Sequence, residues 1–194
     1  VFGRRRGAAV RQAMEGTPRA DYLPEEARDR AGIDAPVAIG HEATCSQPTT
    51  VRTMLELLDV RPGQRVLDVG SGSGWTTAIL ARLVGPGGSV VGVDVVPELV
   101  EDAAARLRRD GLDHAAVRVA GEGELGAPEA APFDRILVSA MARDLPRPLV
   151  DQLADDGLMV LPLEGRLVTV TRVDGEPRVE PAPGWYRFVP LQGS

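Results

Sequence analysis

Cysteine and histidine are scarce in this chain, with one Cys and two His among 194 residues. That excludes a disulfide framework and leaves too few ligands for a structural zinc site. Aromatic side chains make up 4% of the sequence, so there are few platforms for stacking bases. Positive charge is short as well. The formal net charge is -6, whereas a nucleic-acid footprint needs a basic face. Arg4-Arg5-Arg6 is a local exception and reads as a solvated end. No apolar run approaches the ~20 residues that span a bilayer, no signal-like segment opens the chain, and no internal repeat is present. The expectation is a cytoplasmic protein that binds neither nucleic acid nor membrane and holds no metal. Hydrophobic content of 43% and charged content of 26% are globular values, and the length suits one ordinary domain.

What is present centres on Val66-Leu67-Asp68-Val69-Gly70-Ser71-Gly72-Ser73-Gly74-Trp75. The apolar run at 66–69 predicts a buried parallel strand. Glycines then alternate, and residues 76–83 have helical composition and spacing. Strand, glycine turn and helix form the first half of a nucleotide-binding βαβ unit. Glycines admit positive φ and let a ligand lie against the backbone, while the helix start offers free N–H groups. The dinucleotide spacing G-x-G-x-x-G fails, because its third glycine would fall at Trp75. The spacing is instead Asp-x-Gly-x-Gly-x-Gly, with Asp68 two residues ahead of Gly70. An acid there suits a cofactor with a cationic amino acid end, approached directly or through water. S-adenosylmethionine has that end and carries no pyrophosphate. A second acid, Asp94, ends the next apolar run, where a carboxylate accepts the two ribose hydroxyls roughly 20 residues past the glycines. The bland alternative is a glycine-rich turn, with Asp94 an ordinary N-cap for the helix from Pro97.

Elsewhere the pattern predicts helix over much of residues 1–30, stopped by Thr17-Pro18, and an ordered, functional loop over 33–50. Helices follow at 51–58 and 97–109, the second with Leu99, Val100, Ala103 and Leu107 inward and Gly111 at its end. Strands are predicted at 89–94, 116–119, 136–139 and 158–161, with a helix near 149–153. Extended runs at 166–173 and 185–189 close the chain, separated by a Gly- and Pro-rich hairpin loop at 175–184. Strands and helices that alternate, then strands alone, imply an α/β fold with a mostly parallel sheet and an antiparallel edge.

The stretch Val138-Ser139-Ala140-Met141-Ala142 lacks the Asn/Asp-Pro-Pro-aromatic run of amine methylation, and no acidic cluster offers a metal site. That leaves acceptors needing neither deprotonation nor a metal, of which a carboxylate is the obvious one. With a pKa of ~4 it is already ionised at neutral pH, so placement and dehydration suffice.

Several segments together resemble the protein-L-isoaspartate O-methyltransferase family. They are Gly16-Thr17-Pro18-Arg19 with Tyr22-Leu23-Pro24; Ile39-Gly40-His41 with Thr44-Cys45-Ser46-Gln47-Pro48; residues 66–74; Ala131-Pro132-Phe133-Asp134; Asp151-Gln152-Leu153; Leu161-Pro162; and Phe188-Val189-Pro190-Leu191. The Thr-x-Ser-Gln-Pro segment is the most specific, because generic methyltransferase folds do not share it. The resemblance implies a three-layer, Rossmann-like class I methyltransferase fold in a single domain, with residues 1–50 as a substrate cover and 51–194 as the S-adenosylmethionine-binding core. It implies esterification of isoaspartyl carboxylates in damaged proteins, followed by succinimide formation and repair, with S-adenosylhomocysteine as the by-product. It places Ser46 at the family's active-site serine, Thr44 and Cys45 at cofactor-contacting backbone, Asp94 and Val95 at the ribose and adenine, and Glu122-Gly123 near the adenine amine.

Cys45, where the family usually has Ile, reads as a small buried hydrophobe. His41 reads as a structural hydrogen-bonding residue and His114 as solvated. Departures from the family bear on isoaspartyl selectivity: Thr49 replaces a bulkier residue beside the cleft, Glu122 an Asp, and the sequence stops soon after Leu191. A monomeric repair enzyme competes with two alternatives: a peptide aspartate O-methyltransferase that tailors a ribosomally made natural product, and a non-catalytic S-adenosylmethionine-binding protein.

Overall fold

A computed structural model of the chain describes residues 2–121 and 123–192, with side chains from residue 7 onward. The side chains of Arg4-Arg5-Arg6, and Glu122 altogether, lie outside the described residues. Helix α1 (Phe2–Glu15) opens the chain, followed by 3-10 turns at Arg19–Tyr22 and Glu25–Arg30. The loop expected at 33–50 contains a hairpin, β1 (Val37–Gly40) and β2 (Ala43–Cys45). Its turn residues His41 and Glu42 have φ of 52° and 59°, the left-handed pair that a two-residue hairpin needs. Helix α2 (Pro48–Leu58) starts ahead of the predicted position because Pro48 suits its first turn. It buries Val51, Met54, Leu55 and Leu58.

Strand β3 (Arg65–Val69), helix α3 (Trp75–Val84), strand β4 (Ser89–Asp94), helix α4 (Pro97–Arg109) and strand β5 (Ala115–Val119) follow where the sequence pattern puts them. Then come β6 (Phe133–Val138), the single turn α5 (Arg147–Val150), β7 (Leu153–Leu163), β8 (Arg166–Val173) and β9 (Glu176–Pro181). The main sheet runs β5-β4-β3-β6-β7-β8-β9, parallel through β7 and antiparallel at β8 and β9. Successive strand residues face opposite ways. Val66 and Leu137 thus join a core with α2, α3 and α4, and Leu67 and Ile136 join one with α5 and Leu125. This is the three-layer α/β arrangement.

Three local expectations are corrected. The helix near 149–153 is one turn, and Leu153 already belongs to β7. The segment at 175–184 is not a loop, since Glu176–Pro181 forms β9. Pro177 and Pro181 disguise it, and proline is tolerated here because β9 is an edge strand. The run at 185–189 lies outside the sheet, and the neighbouring Pro190 makes a lone bridge to Met141.

The β3–α3 turn sits in a space with no room for side chains. A Cβ at Gly92 would lie 2.6 Å from Val117 Cγ1 and 3.1 Å from Ser71 Cβ. At Gly74, where φ is +83°, a Cβ would lie 2.9 Å from Ala103 Cβ on α4. Beneath the turn, Asp68 is fully buried and its Oδ2 accepts from the Thr77 hydroxyl at 2.7 Å, while Oδ1 has no partner among the described residues. Burial pushes its pKa up from 3.8 to about 7; the Thr77 bond opposes the rise and the charge on Asp94 adds to it.

Gly74→Ala should therefore destabilise the fold by about 1–3 kcal/mol, from overpacking against α4 and an unfavourable φ. Gly32→Ala, with nothing within 4 Å of the new Cβ, should change urea stability little. Equal midpoints for the two variants would contradict the packing account. Asp68 generates a second expectation. Its folded pKa is raised, so the folded state keeps its proton longer than the unfolded chain does. The associated stability is present below about pH 4 and is lost as pH rises to about 7. The loss is on the order of 4 kcal/mol at most. Asp68→Asn should remove this pH-dependent fall; parallel wild-type and variant curves from pH 4 to 8 would contradict it.

Candidate functional site

From β3 the chain winds outward through α3 to β4 on one side, while β6 lies on the other, so a crevice opens at their carboxyl ends. A cavity of about 790 Å³ fills it. Residues 69–73 and 93–96 form its floor, and 120, 124–126, 139 and 140 one flank. Residues 41–47 with Thr49, Thr50 and Thr53 of α2 roof the opposite flank, and 185–192 close the end.

On the floor, Asp94 Oδ2 accepts from the Gly72 N–H at 2.7 Å, and Oδ1 from the Val96 N–H at 3.1 Å. The N-cap of α4 is Val96, without a side-chain capping bond, so Asp94 does not cap that helix. It ties the glycine turn to the end of β4 and keeps lone pairs for a ligand. Gly70 and Gly72 have φ of 80° and 50°, which brings bare backbone to the cavity. A Cβ on Gly72 would meet Ile39 Cδ1 at 3.3 Å. The Ser71 hydroxyl is buried and without a partner among the described residues. Val95 lies 45% exposed beside Asp94, a flat apolar surface at the rim.

The structure brings Thr44, Cys45, Ser46, Gly70, Ser71, Gly72, Ser73, Asp94 and Val95 to this one cavity. Three predicted residues do not line it. Asp68 lies behind the wall in the core, because its strand position points it at Thr77. Gly74 faces Ala103 of α4 rather than the ligand space. Gly123 sits in a turn with φ of 71°, and the neighbouring wall is made by Ala120, Glu124, Leu125 and Gly126. Glu122 lies outside the described residues.

That wall is held by residues the motifs did not reveal. Gln152, buried just ahead of β7, accepts from the Ala127 N–H at 2.7 Å and donates to the Leu125 carbonyl at 2.8 Å. Arg118 pairs with Glu124 and donates to the Gly126 carbonyl at 3.1 Å. Gln152 lay within a segment of family resemblance, but no spacing rule announces a side chain that props a loop.

On the roof, Ser46 is half-buried, and its hydroxyl bonds to no other side chain or backbone group among the described residues. Its carbonyl accepts from Arg19 at 3.0 Å. Burial pushes the Cys45 thiol up, with Arg19 acting against the rise, and the side chain joins the core. It is a packing residue, as its environment in the sequence suggests. Asp34 holds the start of α2, accepting from the Thr49 N–H and hydroxyl at 2.9 and 2.8 Å and from Gln47 at 3.0 Å. These bonds, led by the Thr49 N–H, hold its carboxyl below the usual range. Thr49, a small side chain beside the cleft, is thereby fixed.

Both histidines differ from expectation. His41 is exposed at the cavity mouth and makes no hydrogen bond among the described residues, because the tight hairpin turn carries it outward. His114 is half-buried with Nε2 2.9 Å from the Ala81 carbonyl, tying α3 to the start of β5. Trp75, which stands where a dinucleotide turn would have its third glycine, has a packing duty. Its ring is buried, and Nε1 donates to the Thr17 carbonyl at 2.9 Å, clasping the N-terminal segment.

Comparison with known proteins agrees with this geometry. The family model described as protein-L-isoaspartate(D-aspartate) O-methyltransferase matches residues 3–194. A protein-L-isoaspartate O-methyltransferase of Methanopyrus kandleri is 44% identical over 97% of this chain and 85% of its own. One from Methanothrix thermoacetophila is 45% identical over 95% of this chain and 88% of its own. A crystal structure from Plasmodium falciparum, described as this kind of enzyme in complex with S-adenosyl-L-homocysteine, superposes with a TM-score of 0.84. It is 29% identical and covers 96% of this chain and 91% of its own. Matched over nearly its whole length, the chain belongs to the protein-L-isoaspartate(D-aspartate) O-methyltransferase family.

Proposed function

We propose that this protein is an S-adenosylmethionine-dependent carboxyl O-methyltransferase that esterifies L-isoaspartyl residues in damaged proteins and peptides, so that succinimide formation can repair them. The observation that carries the reading is that Ser46 opens into the same cavity as the glycine turn and Asp94. Donor and acceptor ends of one reaction thus share one enclosure. We place the whole activity in one methyltransferase domain, with residues 1–50 as its cover and 51–194 as its core. We take the protein to be a cytoplasmic monomer acting on peptide, away from nucleic acid and membrane; the net charge of -6 disfavours a nucleic-acid partner, and no described helix is long and apolar enough to cross a membrane.

The residues fit an adenosyl donor. The Ser71 hydroxyl, buried and without a partner among the described residues, offers a polar contact, and Gly70 and Gly72, whose N–H groups are held by the Val93 carbonyl and Asp94, let a ligand lie close to the backbone. Asp94 would hold the ribose hydroxyls, Val95 one face of the adenine, and the wall at 124–126 its edge. Thr44 and Cys45 would contribute backbone on the roof. When bound, the donor supplies an electrophilic methyl group on a sulfonium centre.

The protein's own part is placement. An acceptor carboxylate is ionised at neutral pH and needs no general base. The Ser46 hydroxyl is free to donate to one carboxylate oxygen and so orient the other. Residues 41–47 and 185–192 line the same cavity and would flank the reacting pair, where limiting water and aiming the nucleophile raise its effective concentration. Asp68, buried behind the turn, would act on the donor's amino acid end only through other groups.

The test is transfer of labelled methyl from S-adenosylmethionine to matched isoaspartyl and aspartyl peptides. Preferential labelling of the isoaspartyl member is the expected result. Labelling of the aspartyl member alone would point to peptide tailoring, and binding without transfer would remove the enzyme reading. Two substitutions divide the site into its halves. Asp94→Ala should weaken donor binding about 10- to 100-fold, the worth of one charge-assisted hydrogen bond. Ser46→Ala should leave the donor Kd within about twofold while lowering turnover. Calorimetry and steady-state rates on both variants check this; unchanged donor affinity in Asp94→Ala or full turnover in Ser46→Ala would contradict the assignment.

A further inference from the structure

Arg19 is a buried cation with an unusual set of partners. The residue is 6% exposed, and its two terminal nitrogens donate to five backbone carbonyls. Nη1 donates to Ile33 at 3.0 Å and Ala31 at 3.4 Å, and Nη2 to Ala35 at 2.8 Å, Cys45 at 2.9 Å and Ser46 at 3.0 Å. A buried charge is costly unless its environment is well organised around it. Here the organisation is the folding back of the segment after the second 3-10 turn together with the junction of β2 and α2. Two consecutive carbonyls, Cys45 and Ser46, converge on one nitrogen atom, which fixes the backbone that carries the serine.

The other side of the guanidinium lies over the Trp75 ring, 5.6 Å from its centre. Trp75 is the first residue of α3, directly after Gly74, and its Nε1 bonds back to Thr17, two residues before Arg19. One side chain therefore touches both the turn that floors the cavity and the strand end that roofs it. A planar, forked cation that stacks and donates at once suits this position, whereas the ammonium of Lys is a point charge without the fork.

We propose that Arg19 is a positioning residue for methyl transfer: it sets the Ser46 hydroxyl at a fixed place opposite the donor floor by gathering the Cys45 and Ser46 carbonyls while stacked on Trp75. The proposal rests on the methyltransferase reading above. Arg19 touches neither donor nor acceptor and acts through Ser46. If it merely stapled the N-terminal segment, its loss and the loss of Ser46 would be independent.

A double-mutant cycle separates the two roles. Wild type, Arg19→Lys, Ser46→Ala and the double variant are assayed with an isoaspartyl peptide well below their melting temperatures. Rates are expressed per donor site, counted by calorimetry with S-adenosylhomocysteine, so that poorly folded protein does not enter them. Arg19→Lys should lower kcat about 10- to 100-fold with little change in KM for the donor, and the double variant should be no worse than the poorer single one within about threefold. Multiplying losses, or a full rate per site in Arg19→Lys, would overturn the proposal. The wild-type rate in the same series reports on the underlying activity, so a multiplicative result against an active wild type sinks the Arg19 role alone. Should Arg19→Lys fail to fold, Trp75→Phe in the same cycle replaces it, since it loosens the stack and the Thr17 bond; it should likewise fail to add to Ser46→Ala, and additivity there would also overturn the proposal.

Discussion

Everything at the ligand end of this protein depends on how closely the turn after β3 is pressed into the sheet. Gly92 leaves room for Ser71, and Gly74 leaves room for Ala103 of α4. Only with both gaps can the turn lie low enough for the Gly72 N–H to reach Asp94 at 2.7 Å. That bond joins the ends of β3 and β4 and turns a carboxylate toward the crevice. The glycines thus have separate duties. Gly70 and Gly72 present backbone to the cavity, and Gly74 lets a helix approach. A glycine-rich motif is a packing device and a binding device at once.

The opposite side of the cavity comes from a distant part of the chain, and nothing in the sheet dictates where it must lie. Its position comes from a few directional bonds. Trp75 reaches Thr17, Arg82 donates to the Thr17 hydroxyl at 3.0 Å, and Asp34 anchors Gln47 and Thr49. Tyr22 bonds Asp110 beyond the end of α4, and burial together with that acceptor pushes its phenol far above its ordinary pKa. The N-terminal 3-10 segment is therefore fastened to both α3 and α4 rather than lying loosely over the site. The far end is fastened too, since Met141 and residues 189 and 191 exchange backbone bonds of 2.7 and 2.8 Å.

Much of this was legible in the sequence where one local rule dominates. Helix α4 runs from Pro97 to Arg109 as predicted, because proline at its first turn, four inward apolar residues and a following glycine all agree. The glycine turn and Asp94 were legible because backbone approach demands particular residues. Legibility failed where tertiary contacts override local signals. Pro177 and Pro181 argue against a strand until β9 is known to be an edge. The apolar run at 185–189 looks like a strand but is used as a cavity wall. His114 finds its partner on a neighbouring helix. Arg19 and Gln152 carry their roles through carbonyls brought together only by the fold, and a charged or amide side chain in a sequence does not say which carbonyls those are. Asp68 shows the subtlest case: the motif marks it correctly as special, yet strand alternation turns it into the core.

The account stands on one spatial claim, that donor and acceptor meet between the glycine floor and Ser46. A crystal structure of the protein with S-adenosylhomocysteine and an isoaspartyl peptide tests it most directly. The predicted result has the ribose on Asp94, the adenine between Val95 and residues 124–126, and the peptide carboxylate within hydrogen-bond distance of the Ser46 hydroxyl, facing the sulfur. A nucleoside bound away from Asp94, or a peptide carboxylate held outside the roof formed by residues 41–47, would contradict it.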